Sequence, residues 1–153
     1  MANMCKCHIS AAHHNAEMMR KFKEALDEQG LFETFIPSED AGGNQIDPSE
    51  IWGTKWDARN GFIDLSIDER SGNGYFETAW SPPILAFEAL SKLGFDIHAT
   101  YYELCAQYAG VWDDKNGDVS IKFDFNDENW RDKIPDSDLL DLLEEEFNNM
   151  ELD

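Results

Sequence analysis

Three stretches of this chain alternate apolar and polar residues, and that period of two limits its fold more than any other feature. Cys5, Cys7 and Ile9 alternate with Lys6, His8 and Ser10, and Ile63, Leu65 and Ile67 alternate with Asp64, Ser66 and Asp68. Val119, Ile121, Phe123 and Phe125 alternate with Ser120, Lys122 and Asp124. Each pattern predicts a strand with one buried and one wet face. Turn chemistry pairs them. Ser71-Gly72-Asn73-Gly74 predicts a turn into a partner strand over 75–80, and the Asn116-Gly117 centre of 113–118 joins strands at 108–112 and 119–125. A further strand is expected over 97–104.

Helical spacing falls between these strands. Asn15 can cap a helix whose stripe is Met18, Met19, Phe22, Ala25 and Leu26, with Gly30 as its stop. Ser81-Pro82-Pro83 predicts the start of a second helix, with Phe87 and Leu90 turned inward and Gly94 ending it. After Pro135, Asp136 or Ser137 caps a last helix with an inner stripe of Leu139, Leu142, Leu143, Phe147 and Met150. Residues 31–61, broken by Pro37, Gly42, Gly43 and Pro48, read as irregular.

In order, residues 5–104 spell strand, helix, strand, strand, helix, strand. That is the α+β, ferredoxin-like βαββαβ order, with two helices on one face of an antiparallel sheet. A β-hairpin and an acidic C-terminal helix are appended. A single domain over 1–153 is expected, with a core at 1–125 and an acidic extension at 126–153. The chain is 42% hydrophobic and 12% aromatic, which supplies a core and separates it from disordered acidic chains. No apolar run reaches membrane-span length, no apolar leader is visible, and three cysteines fit a reducing compartment. A bacterial cytoplasmic location is the expectation.

Charge says most about partners. The chain holds 32 acids against 12 bases, a net of −20. Residues 1–30 are neutral, whereas 113–153 carry fifteen acids against Lys115, Lys122, Arg131 and Lys133, a net of −11. Such a surface repels nucleic acid and membrane headgroups and steers basic partners toward it. Glu144, Glu145 and Glu146 also oppose the helix macrodipole and lie among like charges three and four apart. Local rules broken together are expected at functional positions.

Several blocks point to a family. Asn3-Met4-Cys5, Leu31-Phe32-Glu33-Thr34-Phe35-Ile36-Pro37, Trp52-Gly53-Thr54-Lys55-Trp56-Asp57-Ala58 and Phe76-Glu77-Thr78-Ala79-Trp80-Ser81-Pro82-Pro83 occur in this order. Leu90-Ser91, Tyr102-Glu103 and Ala109-Gly110 follow. Together they resemble the YubB-like family, small ferredoxin-like proteins of conjugative plasmids and phages, over residues 1–125. The resemblance implies a ferredoxin-like fold without an iron–sulfur cluster, and a mobile-element home. It carries over no reaction and no catalytic residues. The acidic C-terminal segment departs from the family pattern and favours a specialised function.

Other chemistry is weakly signalled. Cys5, Cys7, His8, His13 and His14 lie close together, but Cys5 and Cys7 are one residue apart and lack the spacing of a zinc site. An EF-hand frame with Gly117 as its glycine puts Trp112 and Phe123 at ligand positions, so no calcium loop is present. Trp52, Trp56 and Trp80 could stack bases, but that module needs a basic surface. They are expected to pack under the 31–61 segment. No phosphate loop, nucleophile elbow or His-Glu-x-x-His pattern occurs. Cys105 with a distant histidine, or Asp64 with Glu77, would be paired only arbitrarily.

The expectation is therefore a binding protein, not an enzyme, needing no cofactor or metal and touching no nucleic acid directly. It would inhibit a host nucleic-acid-handling complex, such as a CRISPR or restriction nuclease, by filling its basic groove. The partner-binding residues would be Asp113, Asp114, Asp118, Asp127, Glu128, Asp132, Asp138, Asp141, Glu144, Glu145 and Glu146. Self-repulsion at this charge argues for a monomer. The alternative is a protein-interaction module using the sheet face or the Trp52–Trp56 loop, its acidity serving solubility.

Overall fold

The computed structural model describes residues 3–151. Among these, six strands form one antiparallel sheet: β1 (Met4–Ala12), β2 (Arg59–Leu65), β3 (Ser71–Ala79), β4 (Asp96–Glu103), β5 (Tyr108–Asp113) and β6 (Gly117–Lys122). Their spatial order is β2-β3-β1-β4-β5-β6. Five α-helices accompany them: α1 (Ala16–Asp27), α2 (Leu31–Phe35), α3 (Pro48–Ile51), α4 (Ile84–Lys92) and α5 (Ser137–Glu151). The 1–153 expectation includes terminal residues outside the described range.

Period two on the strands sorts the side chains into two faces. Cys5, Cys7, Ile9, Ile97, Ala99 and Tyr101 point into a first core. There they meet the α1 stripe of Met19, Phe22, Ala25 and Leu26 and the α4 residues Ala86, Phe87 and Leu90. The opposite face carries a second, smaller core. Tyr102 and Ala109 pack there with Phe123, Trp130, Leu139 and Leu143, so α5 lies across β4 and β5 on the far side from α1 and α4. Each apolar side chain fully removed from water contributes about 1.5–3 kcal/mol, so both cores bind their helices firmly.

Local devices set the element ends. The Asn15 side chain accepts from the Glu17 N–H at 3.0 Å, as its cap role requires. At the other end of α1 the residue with positive φ is Gln29, not Gly30. The Gln29 N–H donates to Leu26 and the Gly30 N–H to Ala25, closing a Schellman motif, and Gly30 precedes α2. α5 begins with the Asp136 carboxylate accepting from the Leu139 N–H at 2.9 Å.

The first hairpin corrects the sequence expectation. Its turn lies at 66–70, not at 71–74, which belongs to β3. Asp68 accepts from the Ser66 hydroxyl and the Arg70 N–H, Glu69 takes a positive φ, and Ile67 points into solvent. Gly72 serves a different purpose from turning, because a Cβ there would lie 2.7 Å from the Asp64 carbonyl oxygen on β2. The prolines before α4 also act differently. They precede the helix, and Ser81 caps nothing but donates to the Gly53 carbonyl at 2.8 Å.

The 31–61 segment contains α2 and α3, which its breakers concealed. The Asp57 carboxylate accepts from the Phe32 and Glu33 N–H groups, both at 2.9 Å, so a residue far along the chain caps α2. Trp52 is buried, its Nε1 donating to the Ile36 carbonyl. Trp80, by contrast, is 50% exposed and takes Lys55 over its ring, while Arg59 stacks on Trp56. The expected burial of all three tryptophans holds for Trp52 alone.

Candidate functional site

The acidic residues singled out from sequence divide into two groups in space. Five are occupied by the fold. Asp113 holds the second hairpin turn, accepting from the Lys115 N–H at 3.0 Å and the Asn116 N–H at 2.7 Å. Asp118 accepts from the Tyr101 hydroxyl and shares the face of the first core, opposite to α5. Asp127 accepts from the Asn129 N–H and pairs with Lys133 at 3.2 Å. Glu144 pairs with Arg131 at 2.8 Å and Glu146 with Lys6 at 3.1 Å. The backbone N–H groups beside Asp113 and Asp127 hold both carboxyls below the usual range.

Asp114, Glu128, Asp132, Asp138, Asp141 and Glu145 are the other group. Among the described residues none of these six has a salt-bridge partner or accepts a side-chain hydrogen bond. Three of them converge. Asp138, Asp141 and Glu145 follow one another at three- and four-residue spacing on α5 and form the wall of a groove of about 420 Å³. Its floor is the second sheet face, with His8 and Ser10 of β1, Asn73 of β3, and His98 and Thr100 of β4.

The same sheet face is bare beyond the groove. The helix covers β4 and β5, while on this face no element among the described residues lies over β2 and β3, and Phe62 stands 52% exposed. Phe62, Tyr75, His8 and Tyr102 form an aromatic row across four neighbouring strands. Ring centroids are 6.2 Å apart from Phe62 to Tyr75, 5.0 Å from Tyr75 to His8 and 6.0 Å from His8 to Tyr102. His8 belongs to both the row and the groove. Burial holds its pKa below the ordinary 6.5; the charges of Glu146 and Glu145 oppose that, and Lys6 assists it. His8 is therefore neutral at pH 7.

From sequence His8 is weighed only as part of a metal cluster, and Phe62 and Tyr75 are not site candidates. The available signal was parity: Lys6, His8 and Ser10 form the polar set of β1, so a histidine amid them faces away from the first core. A second concavity of about 290 Å³, between the β5–β6 hairpin and the start of α5, is lined by Val111, Val119, Ile121 and Leu139. Among the described residues, no three His, Cys, Asp or Glu side chains gather as a metal ligand set, and no helix is long and apolar enough to cross a membrane. Comparison with family models, curated proteins and solved structures found no match.

Proposed function

We propose that this chain is a mobile-element binding protein that inhibits a host nucleic-acid-handling complex, such as a CRISPR or restriction nuclease, by presenting carboxylates where phosphates would sit. One observation carries this reading. Asp138, Asp141 and Glu145 stand in a row along α5 without cationic partners among the described residues, on a helix fastened by Leu139, Leu143 and the Lys6–Glu146 pair. Nucleic-acid-binding grooves hold phosphates with Lys and Arg, and a helix-mounted row of carboxylates competes for those cations. The strand order β2-β3-β1-β4, with α1 and α4 packed on one face, supports a ferredoxin-like reading. The resemblance to YubB-like proteins supports a phage or plasmid origin and a bacterial cytoplasmic site of action.

The test is protection of an incoming plasmid or phage in bacteria carrying a defined nuclease system. Wild-type protein should protect against at least one system. D138N/D141N/E145Q, folded by circular dichroism, should lose most of that protection. Equal protection by the triple variant overturns carboxylate mimicry, and absence of protection across restriction and CRISPR systems overturns the inhibitor reading.

The exposure of Phe62 favours a second reading, a protein-interaction module using the bare sheet face. The burial of Trp52 weighs against the Trp52–Trp56 loop as its contact surface. Binding unchanged between low and high salt would support this module over mimicry, because screening weakens the charged mode.

A further inference from the structure

α5 holds two cations of its own chain, and both are held in the same way. On one flank the Arg131 guanidinium lies 4.5 Å from the Trp130 ring centre and 5.3 Å from that of Phe147, while its Nε donates to Glu144 at 2.8 Å. Near the end of the helix Lys6 lies 6.0 Å from the Tyr102 ring centre and donates to Glu146 at 3.1 Å. Each arrangement combines an aromatic face with an α5 carboxylate, and each is complete. The aromatic face supplies quadrupole attraction and the carboxylate a charge-assisted hydrogen bond.

The groove repeats the two fixed components and lacks the third. Its wall carries Asp138, Asp141 and Glu145 and its floor includes His8; outside the groove the aromatic row runs on from His8 to Tyr75 of β3 and Phe62 of β2. Glu145 is near enough to His8 for its charge to act on the imidazole. No Lys or Arg among the described residues pairs with the three wall carboxylates. Ser10, Asn73, His98 and Thr100 make no side-chain hydrogen bonds within the described chain, so their donors and acceptors are uncommitted. A groove of about 420 Å³ has room for the side chains of a segment lying along the sheet.

We propose that the bare half of the second sheet face, together with the α5 wall, docks an extended arginine-bearing segment of a partner protein, whose guanidinium groups stack on Phe62, Tyr75 and His8 and pair with Asp138, Asp141 and Glu145. The proposal rests on the binding-protein reading above and names the partner's chemistry. Arginine is favoured over lysine because its planar guanidinium both stacks and forks to a carboxylate. Open, bare β2 and β3 leave room for the segment to continue beyond the helix.

The probes are nona-arginine and nona-lysine peptides, each titrated into the full chain at the same ionic strength and read by fluorescence anisotropy of labelled peptide. The arginine peptide should bind about two- to fivefold more tightly, the size of exposed cation–π contributions. Phe62→Ala and Tyr75→Leu should remove that preference while leaving the lysine affinity within about twofold. D138N/D141N/E145Q should weaken both peptides. The charge-matched control E24Q/E28Q/E88Q, on exposed positions of α1, its C-cap and α4, should weaken them far less. Equal affinity for the two peptides overturns the proposal, as does equal loss in the triple variant and its control, or an arginine preference that survives both aromatic substitutions. Failure here with nuclease protection intact leaves the inhibitor reading standing. An arginine-selective groove in a chain that protects against no nuclease does the reverse.

Discussion

Lys6 of β1 and Glu146 of α5 are joined by a 3.1 Å ion pair, and the Tyr102 hydroxyl donates to the same glutamate oxygen at 3.1 Å. Three elements thus meet at one carboxylate. The pair is partly exposed, so its contribution is screened. Lys6→Met should lower stability by about 0.2–1 kcal/mol, measured as a shift of the urea midpoint with unchanged slope. Glu146→Gln should cost no more than this, because its amide oxygen still accepts from Tyr102.

Trp130 is 1% exposed at the centre of the second core, its ring against Phe125 at 4.9 Å and Phe147 at 5.5 Å. Trp130→Ala should cost about 3–5 kcal/mol and leave the α5 seat half empty. Limited proteolysis should then cut within 126–136 before it reaches the β1–β4 sheet. Simultaneous loss of both regions would mean that the two cores unfold as one unit.

Gly110 lets Tyr101 of β4 cross β5 and reach Asp118 on β6. A Cβ at this position would collide with the Tyr101 hydroxyl and lie 2.8 Å from the Val119 carbonyl oxygen. Gly110→Ala should destabilise by about 1–3 kcal/mol, since the obstruction includes backbone. Tyr101→Phe in the same background should recover part of that loss, which thermal melts of the single and double variants would show.

The neutral His8 makes stability depend on pH in a defined direction. The unfolded chain takes a proton near the ordinary 6.5, whereas burial keeps the folded side chain neutral to lower pH. Stability is therefore full above about pH 6.5, falls as pH drops toward the folded pKa, and levels off beneath it. Denaturant midpoints from pH 7.5 to 5 should show this slope, and His8→Phe should flatten it. Glu145→Gln removes a charge that favours the imidazolium, so His8 should titrate lower still by NMR.

Long periodic segments were legible from sequence. The stripe from Met19 to Leu26, the alternation around Cys5 and Cys7, and the leucines of α5 each predict an element that the structure contains. What escaped depends on distant contacts. α2 is capped by Asp57 from far along the chain, and Gly72 and Gly74 read as turn residues although close strand approach places them inside β3. The acidic residues show the same limit. Linear spacing puts Asp138 and Glu144 on one helix but says nothing of Arg131, which folds back to claim Glu144, while Asp138 has no cationic partner among the described residues. Phe62 pairs with Tyr75 across β2 and β3, and this register puts it on the outward face.

The two thiols beneath α1 and α4 have a practical corollary. Cys5 and Cys7 are wholly shielded and burial raises the Cys7 pKa, while Cys105 lies open to reagents. An alkylating pulse on the native chain should mark Cys105 alone, and a second label applied later would enter β1 only when the first core opens. The molecule thereby carries its own built-in clock for global breathing, readable by mass spectrometry without any engineered reporter.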